Sequence, residues 1–429
     1  VPPTTPNVLE DIDFFQDPRL IADPYPLLER MRSSNPVLRE PTHGVLVVTG
    51  YDEVHTVVND PAAFSSCNST TGPVPGFPVP LDGLDGAAVG ALIDAHRDEL
   101  PFSDQLPSMD PPTHTAHRSL LARLITPKRL KENEEYIWRL ADQVLEPYVA
   151  GGGGEFISKV GNPVALLVIA DLLGVPHEDR PELAERLTGD VSLGSTEDGV
   201  MAHAPLEFLY ERFSGYIEER RREPRGDVLT EMAHAAFPDG STPQVIDVVR
   251  VAANLFSAGQ ETTVRLLSSA LKILAENTTL QEQLRRTPER IPDFIEETLR
   301  FESPIRGDFR LARATKTVGD VEIAAGTTVM VHYGAANRDP RQFENPDTFD
   351  LDRHNARRHL AFGRGVHSCI GAPLARAEAK AVVARILLNT SAIDIDTNRH
   401  GEVDGRRFDY VPTYILRGLT DLHLVVTPS

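Results

Sequence analysis

One stretch restricts the fold more than any other. Thr242-Pro243 supplies a cap and a first-turn proline, and a helical pattern then runs to about Asn277. At ~1.5 Å per residue such a helix is roughly 50 Å long. From Val245 to Ala258 it is apolar on nearly every side, the pattern of a buried helix. Its middle reads Ala258-Gly259-Gln260-Glu261-Thr262-Thr263. A small pair followed by an acid and a hydroxyl is out of place there, because burying a carboxylate is costly unless it is paired or used. Gly259 would let another group approach the helix backbone. Taken alone, the string also fits a solvated turn where the helix surfaces.

The pattern from Pro111 to Asn277 is mostly helical, with breaks at Gly151–Gly154, Gly174-Val175-Pro176, Gly194 and Pro224–Gly226. Helices are expected over Pro24–Ser33, Leu206–Arg222, Pro288–Phe301 and about Pro373–Asn389. Short strands are expected over Val37–Arg39 and Val45–Thr49, within 310–335, and in the tail LHLVV. Residues 68–108 differ: Gly, Pro and Asp clusters surround one helical patch, Ala87 to His96. A loop of that size is usually functional or disordered. The expectation is one mainly α domain over residues 1–429 with small β-sheets.

Composition narrows the function. Asp+Glu outnumber Lys+Arg by 63 to 43, a formal charge of −20, which argues against nucleic acid as a partner. No run of 18 apolar residues occurs, and the opening residues lack the basic start and apolar core of a signal peptide. The expectation is a cytoplasmic protein without a membrane anchor. Two cysteines, Cys67 and Cys369, cannot build a disulfide framework or a multi-cysteine zinc site by themselves.

The segment with the most specific chemistry is Phe362-Gly363-Arg364-Gly365-Val366-His367-Ser368-Cys369-Ile370-Gly371, followed by a helix with Pro373 in its first turn. A sulfur before a helix N-terminus meets free N–H groups and the positive dipole end, which favours thiolate. A thiolate held by backbone donors is what a soft metal needs from an axial ligand. A lone cysteine in a loop is otherwise more often inert. Glu297 and Arg300 share a helix face; alone, such a pair is an ordinary surface contact worth ~0–1 kcal/mol. His114 and Arg118, in Asp110-Pro111-Pro112-Thr113-His114-Thr115-Ala116-His117-Arg118, are also one turn apart.

These strings together resemble the cytochromes P450. The cysteine segment resembles the haem-binding loop FGxGxHxCxGxxLAR, Ala258–Thr263 the oxygen-activation motif AGxETT, Glu297–Arg300 the ExxR motif, and Asp110–Arg118 the pattern DPPxHxxxR. Arg310, thirteen residues before Ile323, is similar to the R…I-x-x-G pattern. The resemblance runs from about Asp17 to Val426. It implies the cytochrome P450 fold and a soluble bacterial monooxygenase carrying haem b. By resemblance, Cys369 is the iron ligand, and His114, Arg118, Arg310 and His367 bind haem propionates. Phe362 packs near the thiolate, and Ala258 and Gly259 lie against the haem. Glu261 and Thr262 deliver protons to the dioxygen being reduced. Arg353 is implied as the third member of a buried network with Glu297 and Arg300. The interval from Phe64 to Asp110 is longer than the pattern of soluble bacterial members.

The resemblance further implies a monomer that takes O2 and an apolar small molecule of terpenoid, steroid or fatty acyl type. With no flavin or dinucleotide signature and no cysteines for a cluster, electrons would come from a ferredoxin and its reductase. Arg357, Arg358, Arg364 and Arg376 are the candidate docking cations. Pocket walls are expected from 68–106, 178–210, Ala258, Ile305–Phe309 and Tyr414–Leu416. Two other classes stay open at this point: a peroxide-driven member of the fold, which replaces the acid–alcohol pair, and a haem-thiolate sensor without turnover.

Overall fold

The computed structural model describes residue 9 and residues 12–121, 126–187 and 206–429. Helices dominate it. The long helix runs Val245–Ala275, two residues inside each expected end. Gln244, not Thr242, caps it: the Gln244 side chain accepts an N–H of the first turn, and Asp247 accepts the Gln244 N–H at 2.9 Å. Val248, Val249, Ala252, Phe256, Leu267 and Leu271 are buried along it. Helices Asn162–Leu173, Glu207–Arg222, Ile291–Phe301 and Ala372–Asn389 pack directly on this central helix. A helix over Pro127–Ala150 packs against the last of these. One large apolar cluster joins all of them.

A five-stranded sheet lies to one side. Its order is Val37–Arg39, Leu46–Val48, Thr328–Val331, Asp308–Ala312 and Phe64–Ser65. Leu46–Val48 and Thr328–Val331 run parallel, and the other neighbours are antiparallel. The edge strand Phe64–Ser65 is too short to show alternation in sequence. A second sheet places the tail strand His423–Pro428 between Gly153–Glu155 and Thr390–Ile395. The glycine strand there reads as a break in the sequence, because glycine is depleted from strands.

The long interval after Phe64 is packed. Its helical patch spans Gly86–His96, and Leu81, Val89, Ile93 and Leu100 form a small core with Cys67 and Leu311. Its two ends are stapled together. Ser69 Oγ donates to Pro107 O at 2.9 Å, and Asp110 accepts the Ser66 N–H at 2.8 Å and an Arg97 N–H at 2.5 Å. The excursion between is therefore a packed segment with a closed neck. Among the described residues, no helix is long and apolar enough to cross a membrane.

Candidate active site

The cysteine loop is held closed by its own backbone: the Cys369 N–H donates to Phe362 O at 2.8 Å. Gly365 has φ +69°, and a Cβ there would sit 2.6 Å from Val58 O, so only glycine fits. The helix Ala372–Asn389 begins three residues past the sulfur. The N–H groups of Gly371 and Ala372 point at Cys369, yet burial outweighs them and pushes the thiol pKa up. The helix-end N–H groups do favour thiolate, but desolvation opposes them and dominates until a cation supplies the missing charge. Protein crowds Cys369 on every side, but its surface stays open. Cys67 is buried, and burial pushes its thiol to about 11.

Around the loop, groups suited to anions converge. The ring of His114 lies 4.1 Å from that of His367. Arg118 donates to Ser368 O at 2.6 Å, tying the short helix Thr113–Ser119 to the cysteine loop. Arg310 is buried and pairs with Asp308 at 3.0 Å; Tyr333 also donates to Asp308. Ser66 Oγ lies 3.0 Å from His367 Nε2. Burial, with Arg118 nearby, holds His114 down at about 4. Burial, with Arg310, His114 and Arg118, holds His367 at about 2. Both ring nitrogens of His114 are buried without any hydrogen-bond partner. Two guanidiniums and two neutral imidazoles thus gather beside an open sulfur.

On the central helix Ala258 is exposed although Phe256 and Gln260 beside it are buried. Thr262 Oγ1 donates to Ala258 O at 2.9 Å, and Glu261 pairs with Arg265 one turn on. Gly259 turns elsewhere: its missing Cβ would meet the Ile169 side chain at 3.2 Å, so what approaches this helix there is the neighbouring helix. Phe362 packs under Arg376, whose guanidinium is 4.6 Å from the ring centre. A flat apolar group with two carboxylates and a metal that takes sulfur fits these residues. Orphaned His114, the open Ala258 and Cys369, and the donor set of Arg118, Arg310 and His367 are what haem requires.

Behind the loop lies a second, closed polar cluster. Arg300 forks onto Glu297 with two bonds of 2.7 Å, and Arg353 joins at 3.0 Å. The remaining donors of Arg300 reach Asn337 O, Pro346 O and Thr348 O. Beside it, Glu296 binds His359 and Arg376. Burial pushes Glu296 up, but those two partners overcome it and hold it at about 2.

Several positions depart from the sequence reading. Arg376 is committed to Glu296 rather than free. Phe309 and Tyr414 sit in the aromatic cluster of Phe14 and Phe15, with Tyr414 donating to Thr71 O. Strand alternation explains it: Arg310 and Phe309 point to opposite faces. Of the stretch 178–210, residues 188–205 lie outside the described residues. Sequence reasoning missed Ser66 and Tyr333, whose partners are remote in the chain, and also Asp308 and Arg265, which the strand spacing to Arg310 and the one-turn spacing to Glu261 could have found.

Comparison with known proteins agrees with this geometry. The family profile for cytochrome P450 matches residues 204–397. Cytochrome P450 144 of Mycobacterium tuberculosis is 34% identical over 98% of this chain and 93% of its own length. The structure of Mycobacterium marinum cytochrome P450 CYP150A6 in the substrate-free form superposes with TM-score 0.91 at 52% identity, covering 97% of this chain and 99% of that one. CYP109E1 from Bacillus megaterium in complex with corticosterone matches with TM-score 0.77 at 28% identity, over 94% and 98% of the two chains.

Proposed function

The chain belongs to the cytochrome P450 family of haem-thiolate monooxygenases, and from that premise we propose that it oxygenates an apolar small molecule with electrons from a ferredoxin and ferredoxin reductase. The observation that carries the site assignment is the open sulfur of Cys369 beside orphaned His114. Cys369 is the haem-iron ligand in this reading, and the cofactor is haem b. His114, Arg118, Arg310 and His367 hold its two carboxylates, with Arg forks suited to that geometry. When bound, the haem supplies dioxygen activation.

The chain's own residues do the rest. Phe362 shields the sulfur, and Ala258 leaves space above the haem face. Glu261 and Thr262 lie on one stripe of the central helix, where the acid and the alcohol move protons toward the reacting oxygen. That intact pair supports oxygen-driven turnover over a peroxide-driven or non-catalytic role. An aliphatic substrate of steroid, terpenoid or fatty acyl type suits the pocket candidates, and a relative's complex with corticosterone supports the steroid case. The loop 68–106 closes over that substrate.

The ferredoxin docks over the cysteine loop. Arg357, Arg358 and Arg364 are exposed there, whereas Arg376 is paired. A surface groove of about 470 Å³ beside them is lined by Lys131, Glu134, Arg357 and Lys380. The protein acts as a single-domain monomer in the cytoplasm. The assignment is tested by the reduced, CO-bound protein, which should show the red-shifted Soret band of thiolate ligation. Cys67→Ser should keep that band and Cys369→Ser should abolish it; the opposite pattern rejects the ligand assignment.

A further inference from the structure

Ala258, Glu261, Thr262 and Arg265 are spaced three, four and seven residues apart and so occupy one face of the central helix. Arg265 binds the Glu261 carboxylate, but the two partners are unequal. The Arg265 side chain is 6% exposed and that of Glu261 is 40% exposed. The buried cation is the anchor, and the acid is the part free to move. What makes room for the anchor is Gly418. A Cβ at Gly418 would lie 2.5 Å from Arg265 Cγ and 2.6 Å from Nη1. The backbone of Gly418 is not in the left-handed region, so its glycine is required by space rather than by conformation. The loop around it is pinned: the Val411 N–H donates to Gly418 O at 3.0 Å, the Arg417 N–H to Pro304 O at 2.9 Å, and Arg417 Nε to Glu302 at 2.5 Å.

We propose that Arg265 is the positioning residue for Glu261, and that Gly418 is the slot that seats it, so that the C-terminal loop sets where the acid stands beside Thr262. This rests on the reading of Glu261 and Thr262 as the proton-delivering pair. A half-exposed Glu samples many rotamers, and one fixed partner selects among them before the reaction begins. Arg265→Gln removes the anchor. Gly418→Ala displaces it without changing any charge.

The test uses the haem-loaded enzyme and measures product formed per NADPH consumed. Arg265→Gln and Gly418→Ala should each lower that ratio about threefold or more with ligand binding intact, and Arg265→Lys should recover part of the loss. Adding Arg265→Gln to Glu261→Gln should cause no further loss, because both act through one carboxylate. On the resting protein, the isotope-edited infrared carboxylate band that Glu261→Gln removes should shift in Arg265→Gln and in Gly418→Ala. A loss that adds in full to that of Glu261→Gln, or a band that does not move, overturns the positioning role. A damaging Glu261→Gln beside a silent Arg265→Gln also overturns it, while a silent Glu261→Gln overturns the reading of the acid on which it rests.

Discussion

Two polar regions flank the cysteine loop, and they are built on opposite rules. Behind it, Glu297, Arg300 and Arg353 are buried, and the Arg300 donors find Glu297 or a carbonyl. In front, His114 has two unpartnered nitrogens and Glu261 is half open. A saturated network has nothing left to offer a ligand and serves as scaffold; groups left unsatisfied mark where something else must come. Unpartnered buried atoms also occur elsewhere, as at Arg338 Nε and Glu378, so the contrast bears on the site only together with the open sulfur of Cys369.

The largest effect should come from breaking the saturated side. Glu297→Gln leaves two guanidiniums buried beside a neutral amide, a loss of about 3–5 kcal/mol. The protein should fail to accumulate with haem, read by soluble yield and thermal melting; a stable, loaded variant would erase the contrast. The open side should respond differently. Thr262→Ala should cut product per NADPH by about tenfold or more and send electrons to peroxide. The spectral dissociation constant should change by no more than about twofold, and unchanged coupling would remove Thr262 from the relay.

A third cluster lies between the two extremes and sharpens the comparison. Asp104 accepts from Tyr210 Oη at 3.0 Å and from Arg250 Nε at 3.1 Å, and Gln105 also binds Tyr210. It ties the long loop to helix Glu207–Arg222 and to the central helix, and it is partly wet. Tyr210→Phe should raise the on- and off-rates of an imidazole ligand together by about threefold to tenfold, leaving the dissociation constant unchanged. Stopped-flow binding reads this, and a change in affinity alone would place the cluster in the pocket wall instead of the gate. The smallest effect belongs to the surface. Arg358→Glu should slow reduction by ferredoxin a few-fold at low salt and converge with wild type as salt rises. An identical salt dependence would move the docking face elsewhere.

What the sequence made legible follows from how local each signal is. The central helix and the cysteine loop announce themselves by periodicity or fixed spacing, and they stand within a few residues of where the pattern put them; Glu297 and Arg300 were assignable only by resemblance. Arg353 was assignable only by resemblance. Tyr333 and Ser66 were not legible, because their partners lie across the sheet or hundreds of residues away. Phe309, expected in the pocket wall from family position, turns to the aromatic cluster of Phe15 because it alternates with Arg310 along one strand. Arg376 was counted as a free cation because its acid, Glu296, is 80 positions away.

The stapled neck at Ser69–Pro107 and Ser66–Asp110 has an evolutionary consequence. Chain added between two points already held together costs little, about 0.6 kcal/mol for each doubling of length. Insertions and deletions in the exposed run near residues 74–76 can therefore accumulate without moving Ser66 or Asp110, whereas Arg97 and the small core of Leu81, Val89, Ile93 and Leu100 must stay. A lineage could vary the length of that run alone, while the contacts of Ser66 with His367 and Asp110 are inherited intact.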